Sequence, residues 1–185
     1  MTAAGRKRYV ILDRDGTINV EREYLSNWTQ VELIANAALG LKKMRALGLG
    51  LVVVTNQSGI ARGYFDEADL LRIHDRLAEL LRNEGAYVDR IYHCPHAPDA
   101  GCQCRKPVRG LVDRAATDLG FDPAQSFVIG DKPCDIDLGR AVGAKTILVR
   151  SGYGRKFEQS NVVAPDFIVD DLVQAAVVLE GAMNC

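Results

Sequence analysis

Asp13 and Asp15 flank an arginine at the end of an apolar run, in "ILDRDGTIN" (residues 11–19). Carboxylates at such a tip either bond their own backbone in a turn or hold a cation and do chemistry, and the short motif alone leaves both readings open. Two further apolar runs also end in polar residues: "VVVTNQ" delivers Thr55 and Asn56, and "VIGDKPCD" delivers Asp131 and Lys132. Side chains alternate along extended chain, so Asp13 and Asp15 are expected on one side and Arg14 on the other. Gly16 permits a sharp turn directly after them. Three carboxylates converging on one crevice repel each other unless a positive charge sits among them. A hard divalent cation, most simply Mg²⁺, resolves that conflict with oxygens from Asp13, Asp131 and the Asp15 backbone carbonyl, leaving positions for water and phosphate. Such a crevice, with a hydroxyl and a lysine at hand, suits a phosphoryl group.

A second cluster lies in "CPHAPDAGCQCRKP" (residues 94–107). Cys94 and His96 stand two apart, as do Cys102 and Cys104, and Pro98 and Gly101 between the pairs can close a turn. Three thiolates and one imidazole make a closed tetrahedral zinc site with no position for a catalytic water, so this zinc is expected to be structural. The competing reading is a set of redox-active or merely buried residues. Alternation points His93 away from this group, toward core or surface. His74 lies on a leucine-rich segment and reads as a packed or boundary histidine. Cys134 has no evident partner, and Cys185 reads as a free thiol in the tail.

The elements that must position these residues alternate in type. Strands are expected at residues 9–12, 49–55, 90–93, 126–130 and 145–150, with a last one in "DFIVDD". Between them fall helical periods: one with Asn36 as its cap and Ala37, Leu41 and Met44 inward, and one capped by Asp66 with Leu70, Ile73, Leu77, Leu80 and Leu81 inward. Others run over residues 111–119, over about residues 135–142, and through the apolar tail. The expected fold is α/β: a Rossmann-like three-layer αβα sandwich with a parallel sheet, since crossovers between parallel strands need helices. In such sheets ligands bind beyond the carboxyl ends of the strands, where the acidic tips lie. The 185 residues suit one domain, 1–185, without a separate cap domain and with the cysteine-rich loop bound to zinc.

Hydrophobic residues make up 48% and charged residues 25%, ordinary for a globular chain. A net charge of −1 with no basic run argues against a nucleic-acid partner. No leader pattern or membrane span is read, and clustered cysteines beside a histidine suit a reducing, cytoplasmic compartment. A monomer is expected.

"DRDGT", "TNQSGIARG", "CRKP" and "GDKPCD" together resemble the haloacid dehalogenase superfamily of phosphohydrolases. They are most similar to its D-glycero-D-manno-heptose-1,7-bisphosphate 7-phosphatase branch, with histidinol-phosphate phosphatase a near cousin. The resemblance spans roughly residues 9–151, and "RKP" beside the thiols looks like the zinc loop of that branch. It implies Asp13 as nucleophile, forming an aspartyl-phosphate, and Asp15 as acid and base. For the acid role Asp15 must be protonated near neutrality, which nearby negative charge would achieve by raising its pKa. Thr55 and Lys106 would hold phosphoryl oxygens, assisted by the backbone around Asn56, Gln57 and Ser58. Asp131 would complete the metal site, Asp135 would cap the next helix or stand behind that site, and Lys132 would touch substrate. The segment Glu21, Arg22, Glu23 and Tyr24, together with Arg105, would select a small phosphorylated sugar, Arg105 clamping a second phosphate through its planar fork. Histidinol phosphate is the alternative substrate, Glu21 or Glu23 then meeting its amine. A phospho-accepting receiver domain is the alternative of another class; it would have no use for Asp15 or for the zinc loop.

Overall fold

The computed structural model describes residues 7–160 and 164–183. Cys185 and the residues before Lys7 lie outside that range. Six strands form one sheet: β1 (Tyr9–Leu12), β2 (Gly50–Asn56), β3 (Arg90–Cys94), β4 (Phe127–Gly130), β5 (Lys145–Val149) and β6 (Phe167–Val169). Their spatial order is β3-β2-β1-β4-β5-β6, and every neighbouring pair is parallel. Strand order reverses on either side of β1, and it is at such a switch point that a crevice opens between diverging loops.

Strand parity sorts the core into two layers. Val10 and Leu12 of β1, with Leu51 and Val53 of β2, pack on α1 (Ala37–Ala46), α2 (Glu67–Asn83) and α6 (Leu172–Met183). Tyr9 and Ile11, with Val52 and Val54, face α3 (Gly110–Leu119) and α4 (Pro133–Val142) instead. Central strands buried on both faces need continuous apolar sequence, which is why β2 reads "GLVVVTN". A last helix, α5 (Gly154–Ser160), lies between β5 and β6 in the chain.

Helix starts match their chemistry with two corrections. Asp66 caps α2 in a reciprocal box with Asp69, as its spacing from the apolar periodicity implies. Asn36 precedes α1 but makes no side-chain cap bond; its backbone is left-handed, φ 65°, a conformation asparagine tolerates better than most residues. The fourth helix starts earlier than its apolar pattern suggests, with Pro133 at its first turn, where a missing N–H costs nothing. That places Asp135 inside the first turn.

The two longest connections at the strand ends, residues 13–36 and 95–109, contain nothing larger than a 3₁₀ turn, Trp28–Gln30. Among the described residues no separate cap stands over the sheet. Nor is any described helix long and apolar enough to cross a membrane.

Candidate active site

Register decides which polar residues meet. Leu12 pairs with Val53 on one side and Ile129 on the other, so Asp13 and Asp131 leave adjacent strands nearly level. Asp13, Asp131 and Asp135 each offer a carboxylate oxygen, and these lie within 4.8 Å of one another. All three residues are buried. Lys106 reaches in from the cysteine-rich loop, its Nζ 2.9 Å from Asp13 Oδ1 and 2.6 Å from Asp135 Oδ1. Burial alone would lower the lysine's pKa, but the two carboxylates outweigh it and hold the ammonium charged.

Lys132 stands near as a second cation but is paired with Glu21, so positive charge does not balance the three carboxylates. Burial, then the Asp13 charge, pushes the Asp131 carboxyl up to about 8, and burial pushes Asp135 up to about 6. Asp131 Oδ2 accepts from the Tyr153 N–H at 2.8 Å, while its Oδ1 is buried without a partner. An orphaned carboxylate oxygen beside Asp13, in a cluster short of positive charge, fits a divalent cation. Close packing shapes this place: Gly16, at φ +81°, and Gly152 both abut Asp131 so tightly that a Cβ on either would overlap its carboxylate. Asp135 caps the helix, its Oδ2 accepting from the Lys132 N–H at 3.1 Å, and its Oδ1 also holds Lys106.

Asp13 and Asp15 face the same crevice and Arg14 does not, as strand alternation implies, but Arg14 stays in contact with Asp15. Extended structure stops at Leu12, and Arg14 folds back on its neighbour. Its Nη2 lies 2.9 Å from Asp15 Oδ1 and 2.7 Å from Oδ2, and the Arg14 side chain is 1% exposed. Asn19 donates to Asp15 Oδ1 and Gln57 to Oδ2, each at 2.9 Å. Burial would raise the Asp15 pKa, but Arg14 and these donors hold it below the usual carboxylate range. The expectation of a proton retained near neutrality is therefore corrected: without substrate, Asp15 is an ionised, fully partnered carboxylate.

A crevice of about 410 Å³ opens above this floor. It is lined by Asp13, Asp15, Thr55, Asn56, Ser58, Lys106 and Cys134, and also by Glu21, Glu23, Tyr24, Arg105, Lys132 and Tyr153. Lys132 pairs with Glu21 at 2.5 Å, tying the loop after β4 to the loop after β1. Two residues expected to touch substrate do not line the crevice. Arg22 turns outward to the Gln30 carbonyl and Glu32, and Gln57 is buried, its amide bridging Asp15 and Thr55 Oγ. Asn56 lines the wall but spends its amide on Lys106, accepting from the lysine's N–H at 3.0 Å and donating to its carbonyl at 3.2 Å. Tyr153, Asn19 and Arg14 escaped the sequence reading. The Ser-Gly pair ending the β5 run was the available signal for the first, and the buried charge of the last shows only once the turn is built.

Cys94, His96, Cys102 and Cys104 gather as their spacing implies. Cys94 Sγ lies 3.0 Å from Cys104 Sγ and 3.6 Å from Cys102 Sγ, and His96 Nδ1 is 3.1 Å from Cys104 Sγ. Burial and the Cys104 contact push the Cys94 thiol up to about 12, a cost that a bound cation would remove. Sulfur and imidazole donors at this separation fit a soft-ligand tetrahedral ion. His93 stands apart, 2.9 Å from Glu67 at the surface. Cys134 is a protonated thiol pushed up to about 12 by burial and the Asp135 charge.

Fold and acidic strand ends together are those of a haloacid dehalogenase-like hydrolase, and a family model described as HAD-hydrolase-like matches residues 103–175. A D-glycero-beta-D-manno-heptose-1,7-bisphosphate 7-phosphatase of Haemophilus ducreyi is 41% identical, the match covering 79% of this chain and 85% of that one. A D-glycero-alpha-D-manno-heptose-1,7-bisphosphate 7-phosphatase of Photorhabdus laumondii is 34% identical over 90% of this chain and 97% of that one. The crystal structure of a D,D-heptose 1,7-bisphosphate phosphatase from B. bronchiseptica, complexed with magnesium and phosphate, superposes with a TM-score of 0.87 at 33% identity, covering 95% of this chain and 99% of that one. The chain belongs to the D-glycero-D-manno-heptose-1,7-bisphosphate 7-phosphatase family, and it is a phosphoric monoester hydrolase.

Proposed function

We propose that this chain removes the C7 phosphate of D-glycero-D-manno-heptose 1,7-bisphosphate through a phosphorylated Asp13. The observation that carries the reading is the buried Asp13, ion-paired to Lys106 beside the unpartnered oxygen of Asp131. Asp13 and Asp131, with the Asp15 carbonyl, would hold Mg²⁺, which neutralises charge on the phosphoryl oxygens when bound. Relatives named for both anomers match the chain, so the anomer at carbon 1 stays outside the proposal.

Asp13 attacks phosphorus, forming its O–P bond as the P–O bond to carbon 7 breaks. A carboxylate is a weak nucleophile, so alignment matters more than basicity; the Arg14 N–H at 2.7 Å and Lys106 fix the Asp13 side chain. The departing alkoxide takes a proton from Asp15, and Asp15 then accepts one from the water that cleaves the aspartyl-phosphate. Since Asp15 rests ionised, it is ready for the second step, and the first requires it to take up a proton from solvent as the phosphate dianion arrives beside it. Thr55 Oγ and Lys106 stabilise the phosphoryl oxygens. At the mouth Arg105 clamps the second phosphate, with Glu21, Glu23, Tyr24, Ser58 and Lys132 around the sugar.

Zn²⁺ on Cys94, His96, Cys102 and Cys104 would stiffen the loop that presents Arg105 and Lys106. The chain works as a single domain and as a monomer in the cytoplasm. Phosphate release from the heptose bisphosphate and from histidinol phosphate, at equal concentration with Mg²⁺, tests the substrate: the heptose compound is expected to turn over faster. Faster turnover of histidinol phosphate would refute that assignment. Asp13→Asn should abolish release from both while leaving the fold intact, and retained turnover would remove the nucleophile.

A further inference from the structure

His74 lies on α2, behind the crevice wall, and the chemistry above gives it no task. Its Nε2 is 3.1 Å from Arg14 Nη1. The rest of the Arg14 fork is committed to Asp15, with Nε 3.1 Å and Nη2 2.9 Å from Oδ1 and Nη2 2.7 Å from Oδ2. A guanidinium has donors only, so the atom facing Nη1 must accept; Nε2 is therefore unprotonated and Nδ1 carries the ring proton. Burial, then the facing arginine charge, keeps the imidazole neutral by lowering its pKa to about 3.

The geometry has a mechanical meaning. A fork that grips a carboxylate by one edge can still swing about its own stem, carrying the carboxylate with it. A third anchor on the opposite nitrogen stops that swing. His74 supplies the anchor from a helix whose Ile73 and Leu77 are fully buried, so the fixed point is rigid. Asn19 and Gln57 hold the carboxylate from its other sides.

We propose that His74 is a positioning residue: by accepting from Arg14 it fixes the guanidinium that sets the side-chain orientation of Asp15. This rests on the acid/base reading of Asp15, and it makes α2 part of the machinery although no α2 side chain lines the crevice.

The test compares His74→Leu, which suits a leucine-rich helix but accepts nothing, with His74→Gln, whose Oε1 can replace the Nε2 acceptor. With heptose bisphosphate and Mg²⁺, His74→Leu should lower kcat about ten- to a hundredfold while leaving KM nearly unmoved, because misplacing a reacting group costs that much without weakening ground-state binding. His74→Gln should recover most of the lost rate. An unchanged kcat in His74→Leu, or an equal loss in both variants, overturns the proposal. Nitrogen-15 NMR of the unsubstituted protein provides a readout independent of variant folding: His74 should be the neutral Nδ1–H tautomer, and an Nε2–H tautomer overturns the anchor. Asp15→Asn separates the two claims. A severe loss there with a normal His74→Leu sinks only the positioning role, whereas full turnover in Asp15→Asn sinks the acid/base reading beneath it.

Discussion

Asn56 grips Lys106 by both ends of its amide, one bond to the lysine's N–H and one to its carbonyl. This clasp joins the tip of β2 to the loop that carries the metal-type thiols, so the lysine's backbone is fixed before its ammonium reaches Asp13. Asn56→Ala should leave both backbone groups without their partner and lower kcat/KM about ten- to a hundredfold, the usual consequence of a slightly misplaced charge. Steady-state phosphate release checks this, and an unchanged kcat/KM would show that the loop holds Lys106 without help.

Gly16 and Gly48 both have φ +81°, but only Gly16 lies against Asp131; a Cβ at Gly48 meets nothing within 4 Å. Gly48→Ala should therefore cost about 1–2 kcal/mol of backbone strain and preserve turnover. Gly16→Ala carries the same strain plus displacement of the Asp131 carboxylate, and should lose most activity. Thermal unfolding together with phosphate release on the pair separates strain from damage to the site.

Removing metal from the cysteine cluster should loosen Arg105 and Lys106 more than the sheet, because Cys94 belongs to β3 while His96, Cys102 and Cys104 lie in the loop. Chelation, verified by metal analysis and followed by restoration of Mg²⁺ alone, is expected to raise KM while the circular dichroism spectrum changes little. No change in KM would deny the loop this supporting role.

Much of this arrangement was legible in the chain. Apolar runs ending in Asp, Thr-Asn and Asp-Lys mark strand tips, and two tight pairs of soft ligands mark a cluster, because both are local patterns. What escaped depends on where regular structure stops. Alternation sends Arg14 away from Asp15 only while the strand continues; β1 ends at Leu12, and the turn brings the guanidinium onto the carboxylate. Gln57 is expected at the substrate as a strand-end polar residue, but the Cys94 carbonyl accepts from its N–H and its amide is taken up by Asp15 and Thr55. The resemblance places Arg22 at the crevice, in the segment after the first motif, whereas it pairs with Glu32 outside.

Asp166 allows a pH test away from the site. It accepts from the Thr146 N–H and Oγ, each at 2.8 Å, and pairs with Lys145 at 3.0 Å. Partial burial would raise its pKa, but these donors win and depress it. A carboxylate depressed in the folded state contributes stability above its ordinary range, and the contribution is lost as pH falls through the folded value. The difference in melting temperature between the unsubstituted protein and Asp166→Ala should thus be present at about pH 7 and shrink toward about pH 3. A difference independent of pH would mean that the side chain acts by packing rather than charge.

Among the described residues, only a three-residue turn and open loops stand above the strand ends, with no separate cap to shut out bulk solvent during reaction. The sugar itself must serve as the stopper. A phosphate ester too small to plug the mouth would leave the carboxylates and the lysine hydrated and their fields weakened, however well its phosphorus were seated. Discrimination would then be exercised by how completely a molecule seals its own reaction chamber.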